Sequence, residues 1–262
     1  MRNIVPGPGG EVQIIDAALG RSSRFSKDGN FLGSTPIRVR GGQGMAAIRL
    51  PNGNLLLNER SLPGGGASLV VQQIDKHGAS IKRFDDAGPQ WRKSWLQHRL
   101  LAVRPNGEVL IAHPYIFRID VYDAALAKRR SLLETAEWIP AENPDDLPSD
   151  GVFDQPVAPR LWGLWEGPEN HLWTVSTVPS ASWRPVRQSR REATPAEFAA
   201  LERRPRVATL IQVIDLANHR VLASKRFEGF VGSPLSGGYL FALPADSAET
   251  SGVEVYRATF KR

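Results

Sequence analysis

LAVRPNGEVLIAHPYIFRIDVY, residues Leu101 to Tyr122, contains three short apolar runs separated by two breaks. Leu101, Ala102 and Val103 form the first run, and the chain turns at Pro105-Asn106-Gly107. It resumes as Val109-Leu110-Ile111, then as Phe117, Ile119 and Val121 in strict alternation. A period of two is the signature of a strand with unlike faces. Asn-Gly between apolar runs predicts a tight hairpin whose two central residues both take positive φ.

The same pattern returns four more times. Gly107 aligns with Gly10 in VPGPGGEVQIID, Gly53 in IRLPNGNLLLNE, Asn170 in WEGPENHLWTV and Gly238 in PLSGGYLFAL, at intervals of 43, 54, 63 and 68 residues. A second hairpin follows each anchor, as in RFSKDGNFLGS at Asp28-Gly29, VVQQIDKHGASIKRF at His77-Gly78 and IQVIDLANHRVLASKRF at Asn218. Four antiparallel strands per unit predict an all-β fold, a β-propeller of four-stranded blades forming one domain over residues 1–262. A β-sandwich is the competing architecture, but sandwiches rarely repeat one turn at the same place in every sheet. First strands are expected at Asn3–Pro6, Met45–Leu50, Arg99–Arg104, Leu161–Glu166 and Phe230–Ser233.

PNG followed by an apolar strand, then RIDVYD or RFSKDG, resembles the NHL-type and SMP-30-like six-bladed propellers over nearly the whole chain. The resemblance implies a fold more firmly than an activity. Only five units are visible, the first beginning almost at Met1 and the last showing three strands. The expectation is an incomplete or atypical six-bladed ring: either five blades closing imperfectly, or a fragment whose true start, with an export signal, lies upstream. The end blades of an unclosed set expose apolar faces and a strand edge at Val253-Val255-Tyr256, which favours self-association.

Composition narrows the class. A chain of 262 residues buries a substantial core without staples, and with no cysteine it has neither disulfides nor thiolate zinc sites. No signal peptide opens the sequence and no stretch approaches the ~18 apolar residues of a membrane span, so a soluble protein is expected and its compartment stays open. The formal charge of +6 is concentrated between Arg184 and Arg206, a local basic loop more than a basic domain.

Two insertions break the repeat. Ala141–Arg160 is a Pro- and Asp-rich linker that cannot be a strand. Its Asp145, Asp146, Asp150 and Asp154 lack the alternate spacing of a calcium loop. Ala181–Arg206 interrupts the fourth unit between its second and third strands. There Thr194-Pro195-Ala196-Glu197 is a capping box, predicting a short helix from Pro195 to Arg203. Trp183, Arg184, Arg187 and Arg190 in this excursion form a candidate partner-binding patch.

Ligand sites of propellers lie where second strands end and first strands begin. Those positions nominate Asp16, Asn58, Glu59, Arg60, His113, Tyr115 and Ser176, with His98, Arg99, Arg160 and Trp162 from the first-strand starts. No catalytic residue emerges: there is no Gly-x-Ser-x-Gly elbow, and the five histidines are scattered. His77 and His219 fall in turns, and His171 beside Asn170 reads as structural. Trp162 and Trp173 are expected in the core.

The resemblance also implies an alternative, a metal-dependent lactonase or hydrolase with an axial divalent ion such as Ca2+. In this chain the ion would fall to Asp16, Glu59 and His113. Glu166-Gly167-Pro168 is similar to that family's opening motif but stands in the fourth unit, and the later Asn-Gly and Ser-Pro-Asp motif has no counterpart. The first reading is therefore a non-catalytic binding or scaffold propeller, without cofactor, recognising a protein, glycan or small molecule on its axial face. Nucleic acid ranks third, resting on RPVRQSRR alone.

Overall fold

The computed structural model describes residues 2–38, 44–59, 69–86, 97–133, 158–181, 207–228, 234–235, 239–242, 254–257 and 259. They form antiparallel sheets in which sequence order is also spatial order. Sheet A holds β1 (Arg2–Pro6), β2 (Val12–Asp16), β3 (Arg21–Phe25) and β4 (Phe31–Pro36). Sheet B holds β5 (Gly44–Arg49), β6 (Leu55–Glu59), β7 (Leu69–Ile74) and β8 (Ser80–Asp86). Sheet C holds β9 (Leu100–Val103), β10 (Val109–His113), β11 (Arg118–Tyr122) and β12 (Lys128–Leu133). Sheet D holds β13 (Arg160–Glu166), β14 (His171–Pro179), β15 (Val207–Asp215) and β16 (Arg220–Glu228). Sheet E shows three strands, β17 (Pro234–Leu235), β18 (Tyr239–Ala242) and β19 (Glu254–Arg257). Each is a meander of the kind that makes a propeller blade, and the fold is an all-β propeller built from them.

The chain divides into two compact units, Met1–Pro114 with Arg118–Leu133, and Tyr115–Phe117 with Glu134–Arg262. In the first unit the innermost strands β1, β5 and β9 lie side by side in that order. Strand alternation then gives each blade two apolar faces. Leu55 and Leu57 of β6 meet Val5 and Ile15 of sheet A, while Leu56 between them turns the other way, toward Val109 and Ile111 of sheet C. Phe84 and Tyr122 add a tilted ring pair at 5.3 Å to the second of these cores. In the second unit Trp165 stacks on Trp173 at 5.5 Å, over Val175, Ile211 and Val213.

The first turns differ from the expected two-residue type. Gly53 and Gly107 have φ of 86° and 85°, but Asn52 and Asn106 are not among the positive-φ residues. The amide of Gly107 donates to the Arg104 carbonyl and that of Arg104 to the Glu108 carbonyl, a longer turn closed by one left-handed glycine. Asn106 is needed for its side chain: Oδ1 accepts from the Glu108 amide at 3.0 Å, as Asn52 Oδ1 does from Asn54. Among the described residues only Gly9-Gly10 and Glu169-Asn170 place two successive residues at positive φ.

The second hairpins share a different device. Asp75 Oδ1 accepts from the amides of His77 and Ala79, and Asp123 Oδ1 from those of Ala125 and Ala127. In sheet D, Asp215 Oδ1 accepts from Ala217 and Asn218. These donors, the backbone amides first for Asp75 and Asp123 and Asn218 first for Asp215, hold all three carboxyls below their usual range.

The strand starts shift by a residue or so from expectation, and Arg160, placed at the end of the linker, opens β13. Pro234–Leu235 is the strand paired with β18; the expected strand at Phe230–Ser233 lies outside the described residues. So do residues 141–157 of the linker, and the helix from Pro195 to Arg203 with all of its excursion after Ala181. Of the expected terminal edge, Val255 and Tyr256 are exposed and Val253 lies outside the described residues. Trp162 is half-buried, not core: its Nε1 donates to Thr177 Oγ1 at 2.8 Å and its ring lies under Arg160. No described helix is long and apolar enough to cross a membrane.

Candidate functional site

Asp16, Glu59 and His113 are the last residues of β2, β6 and β10, and Ser176 holds the corresponding place in β14, each six residues past its turn anchor. All four are buried. Asp16, Glu59 and His113, all in the first unit, do not gather into one ligand set. Asp16 Oδ1 accepts from the Leu19 amide at 3.1 Å, closing a turn. Glu59 faces Arg83, whose Nε is 3.7 Å away and whose Nη2 donates to Gln72 Oε1. Ser176 Oγ has no partner among the described residues. The expected metal set of Asp16, Glu59 and His113 is therefore not assembled: the donors that meet His113 are Asp85 and Asp120.

This cluster sits between sheets B and C, at the end of the blades where β10 finishes and β11 begins. His113 Nε2 lies 3.1 Å from Asp120 Oδ2 and 3.5 Å from Asp85 Oδ1. Arg99 Nε donates to Asp85 Oδ2 at 2.6 Å, and Ser131 Oγ to Asp120 Oδ1 at 2.7 Å. Lys128 Nζ is 3.0 Å from Asp120 Oδ1, and Arg118 Nη2 is 3.3 Å from Oδ2. The side chains of Asp85, Arg99, His113 and Asp120 are each at most 6% exposed, whereas Arg118 is 31% and Lys128 44% exposed. The result is a buried acidic core under a cationic rim.

Burial pushes the His113 pKa down to about 4, with Arg99 and Arg118 adding to the fall against Asp120 and Asp85. The ring is neutral at ordinary pH. Its Nε2 faces the Asp120 carboxylate at 3.1 Å and Arg118 Nη2 at 2.9 Å, and the same Nη2 lies 3.3 Å from Nδ1. Burial alone would raise the Asp120 pKa, but bonds from His113, Ser131 and Lys128 overcome it and hold the carboxyl well below the usual range.

Asn58 ties the two sheets together beneath the cluster. Its Nδ2 donates to the Val70 and Gln97 carbonyls, each at 3.0 Å, and its Oδ1 accepts the Arg99 amide at 2.8 Å. Among the nominated residues it is thus a latch with its polar atoms engaged. Asn58→Ala strands an amide and two carbonyls in a fully buried place, and a loss of about 2 kcal/mol in urea unfolding is expected; a change below about 0.5 kcal/mol would show that water replaces the latch without cost.

Of the other nominated residues, His98 lends its carbonyl to Arg99 Nη1 at 3.0 Å. Tyr115 and Arg160 belong to the second unit, with Arg160 Cζ 5.2 Å above the Tyr115 ring and 4.1 Å above Trp162. Arg60, Trp183, Arg184, Arg187 and Arg190 lie outside the described residues.

Asp85, Arg118, Asp120, Lys128 and Ser131 were absent from the sequence reading. Asp120 carried a signal. In VQQID, IDVYD and IQVID the polar residue three places before the turn aspartate, namely Gln72, Asp120 or Gln212, occupies one register of the third strand, and all three are buried. Asp85 carried none, because strand alternation points it away from sheet C. A φ of 61° breaks that alternation and turns its carboxylate to Arg99.

No family model matches the sequence, and no curated protein matches it significantly. Among solved structures, a member of the duf4221 family from Bacteroides vulgatus is similar at a TM-score of 0.62 and 10% identity, over 97% of this chain and 77% of that one. Virginiamycin B lyase from Staphylococcus aureus aligns at a TM-score of 0.49 and 14% identity, over 99% and 85%. At such identities the first likeness is one of fold.

Proposed function

We propose that the protein is a non-catalytic binding propeller, of the NHL-type and SMP-30-like six-bladed group, and that the niche at His113 is its ligand seat. The observation that carries this reading is the charge layout. Three cations, Arg99, Arg118 and Lys128, face two carboxylates, and the two half-exposed cations form the rim. A surplus positive rim over a neutralised base suits a ligand presenting a carboxylate or phosphate, whether carried by a protein, a glycan or a small molecule. The depressed basicity of His113 supports binding over acid–base chemistry, because a group with a pKa of about 4 is a weak base at neutral pH.

Thermal melting in EDTA against inorganic phosphate, citrate, glucuronate and neutral glucose tests the reading. An anion is expected to raise the Tm of the wild type by a few degrees at saturating concentration and to leave Arg118→Gln unmoved. Equal shifts in both proteins, or a response to glucose alone, would remove the niche from consideration.

A further inference from the structure

We propose that Asp85, His113 and Asp120 form a site for one divalent transition-metal ion of the zinc or manganese class, with Arg118 occupying the ion's place until it binds. This deepens the reading of the niche as a ligand seat, since an ion held there would present open positions to an incoming carboxylate or phosphate.

The geometry is that of a ligand set already gathered. Nε2 of His113 is 3.1 Å from Asp120 Oδ2 and 3.5 Å from Asp85 Oδ1, and the three donor atoms lie within 4.8 Å of one another. Adjacent ligands on an ion with bonds of about 2.1 Å stand about 3.0 to 3.4 Å apart, so small movements suffice. One imidazole with two carboxylates suits zinc, manganese or iron(II); calcium prefers six to eight oxygens. All three side chains are at least nine-tenths buried, which strengthens each bond once it forms.

Arg118 is the resident competitor. Its Nη2 sits 2.9 Å from His113 Nε2 and 3.3 Å from Asp120 Oδ2, a cation lodged among the donors. Its Nε has no hydrogen-bond partner among the described residues, so withdrawal toward solvent breaks only the contacts made by the guanidinium end. Lys128, 44% exposed, can retreat in the same way, while Arg99 remains on Asp85. With its proton on Nδ1 the neutral imidazole offers Nε2, the atom Arg118 vacates, to the ion.

The test is calorimetric titration of EDTA-stripped, dialysed protein with ZnCl2 and with MnCl2, using the wild type, Arg118→Ala and His113→Gln. One ion per chain is expected. Arg118→Ala should bind about tenfold tighter or more because the competitor is gone, and His113→Gln about 100-fold weaker. The Arg118→Ala arm and the visible spectrum of bound Co2+ keep the test decisive if His113→Gln fails to fold. A structural role for Arg118 predicts weaker binding on its removal, and that outcome overturns the proposal. So does the absence of a one-per-chain ion in both wild type and Arg118→Ala, or binding that ignores His113. Anion protection through Arg118 in EDTA, without metal binding, would sink the ion and leave the ligand seat standing. Metal binding without any anion effect would do the reverse.

Discussion

Arg99→Ala is expected to lower the unfolding free energy by about 3 to 5 kcal/mol, the cost of leaving one partner of a buried ion pair uncompensated. The side chains of Arg99 and Asp85 are 2% and 4% exposed and their atoms meet at 2.6 Å. Without the guanidinium, Asp85 would keep a carboxylate in a place water scarcely reaches, held there by its left-handed backbone. Arg24 and Glu11 provide the contrast, at 3.9 Å with both side chains at least a third exposed, and Arg24→Ala should change stability by less than about 0.5 kcal/mol. Urea unfolding of the two variants measures the difference. A loss below about 1 kcal/mol for Arg99→Ala would mean that water enters the niche, and that the sheet B and C junction is looser than its burial indicates.

Gly78→Ala should cost about 3 kcal/mol, against about 1 kcal/mol for Gly29→Ala. Both glycines have left-handed backbones, with φ of 85° and 82°. A methyl group at either pays the strain of that conformation. At Gly29 nothing lies within 4 Å of the added carbon, whereas at Gly78 it would overlap the Pro36 carbonyl oxygen at the end of β4. Relief requires sheets A and B to separate, and overpacking of that kind typically costs a further 1 to 3 kcal/mol. The paired melts isolate the blade contact from the turn, because the turn term is common to both. Equal losses would show that the β7–β8 hairpin bends away freely and does not brace sheet A.

Strand order, blade connectivity and hairpin positions were legible in the chain because they depend on neighbours in sequence. A strand alternates with period two whatever it packs against, and a glycine or an asparagine marks a left-handed turn from local sterics alone; hence Gly10, Gly53, Gly107 and Asn170 all have positive φ. The turn type was misread for the same local reason. Asn52 and Asn106 serve through side-chain bonds to the amide two residues on, which a count of turn residues does not distinguish from a left-handed pair.

What the linear chain determined, then, is an all-β propeller of meandering blades and the places where their second strands end. Tertiary structure decided which of those ends matter together. Asp16, Glu59 and His113 hold equivalent places in successive blades, so the repeat that makes them recognisable also keeps them apart. His113 finds Asp85 across a blade junction and Asp120 on its own sheet, and Arg99, just ahead of β9, bonds Asp85 in place. Asp85 reaches the niche through one left-handed residue, and Arg99 is held there by Asn58 from the neighbouring sheet. Such meetings depend on the packing of one sheet on the next, and packing is the one relation that the order of residues along a strand does not contain.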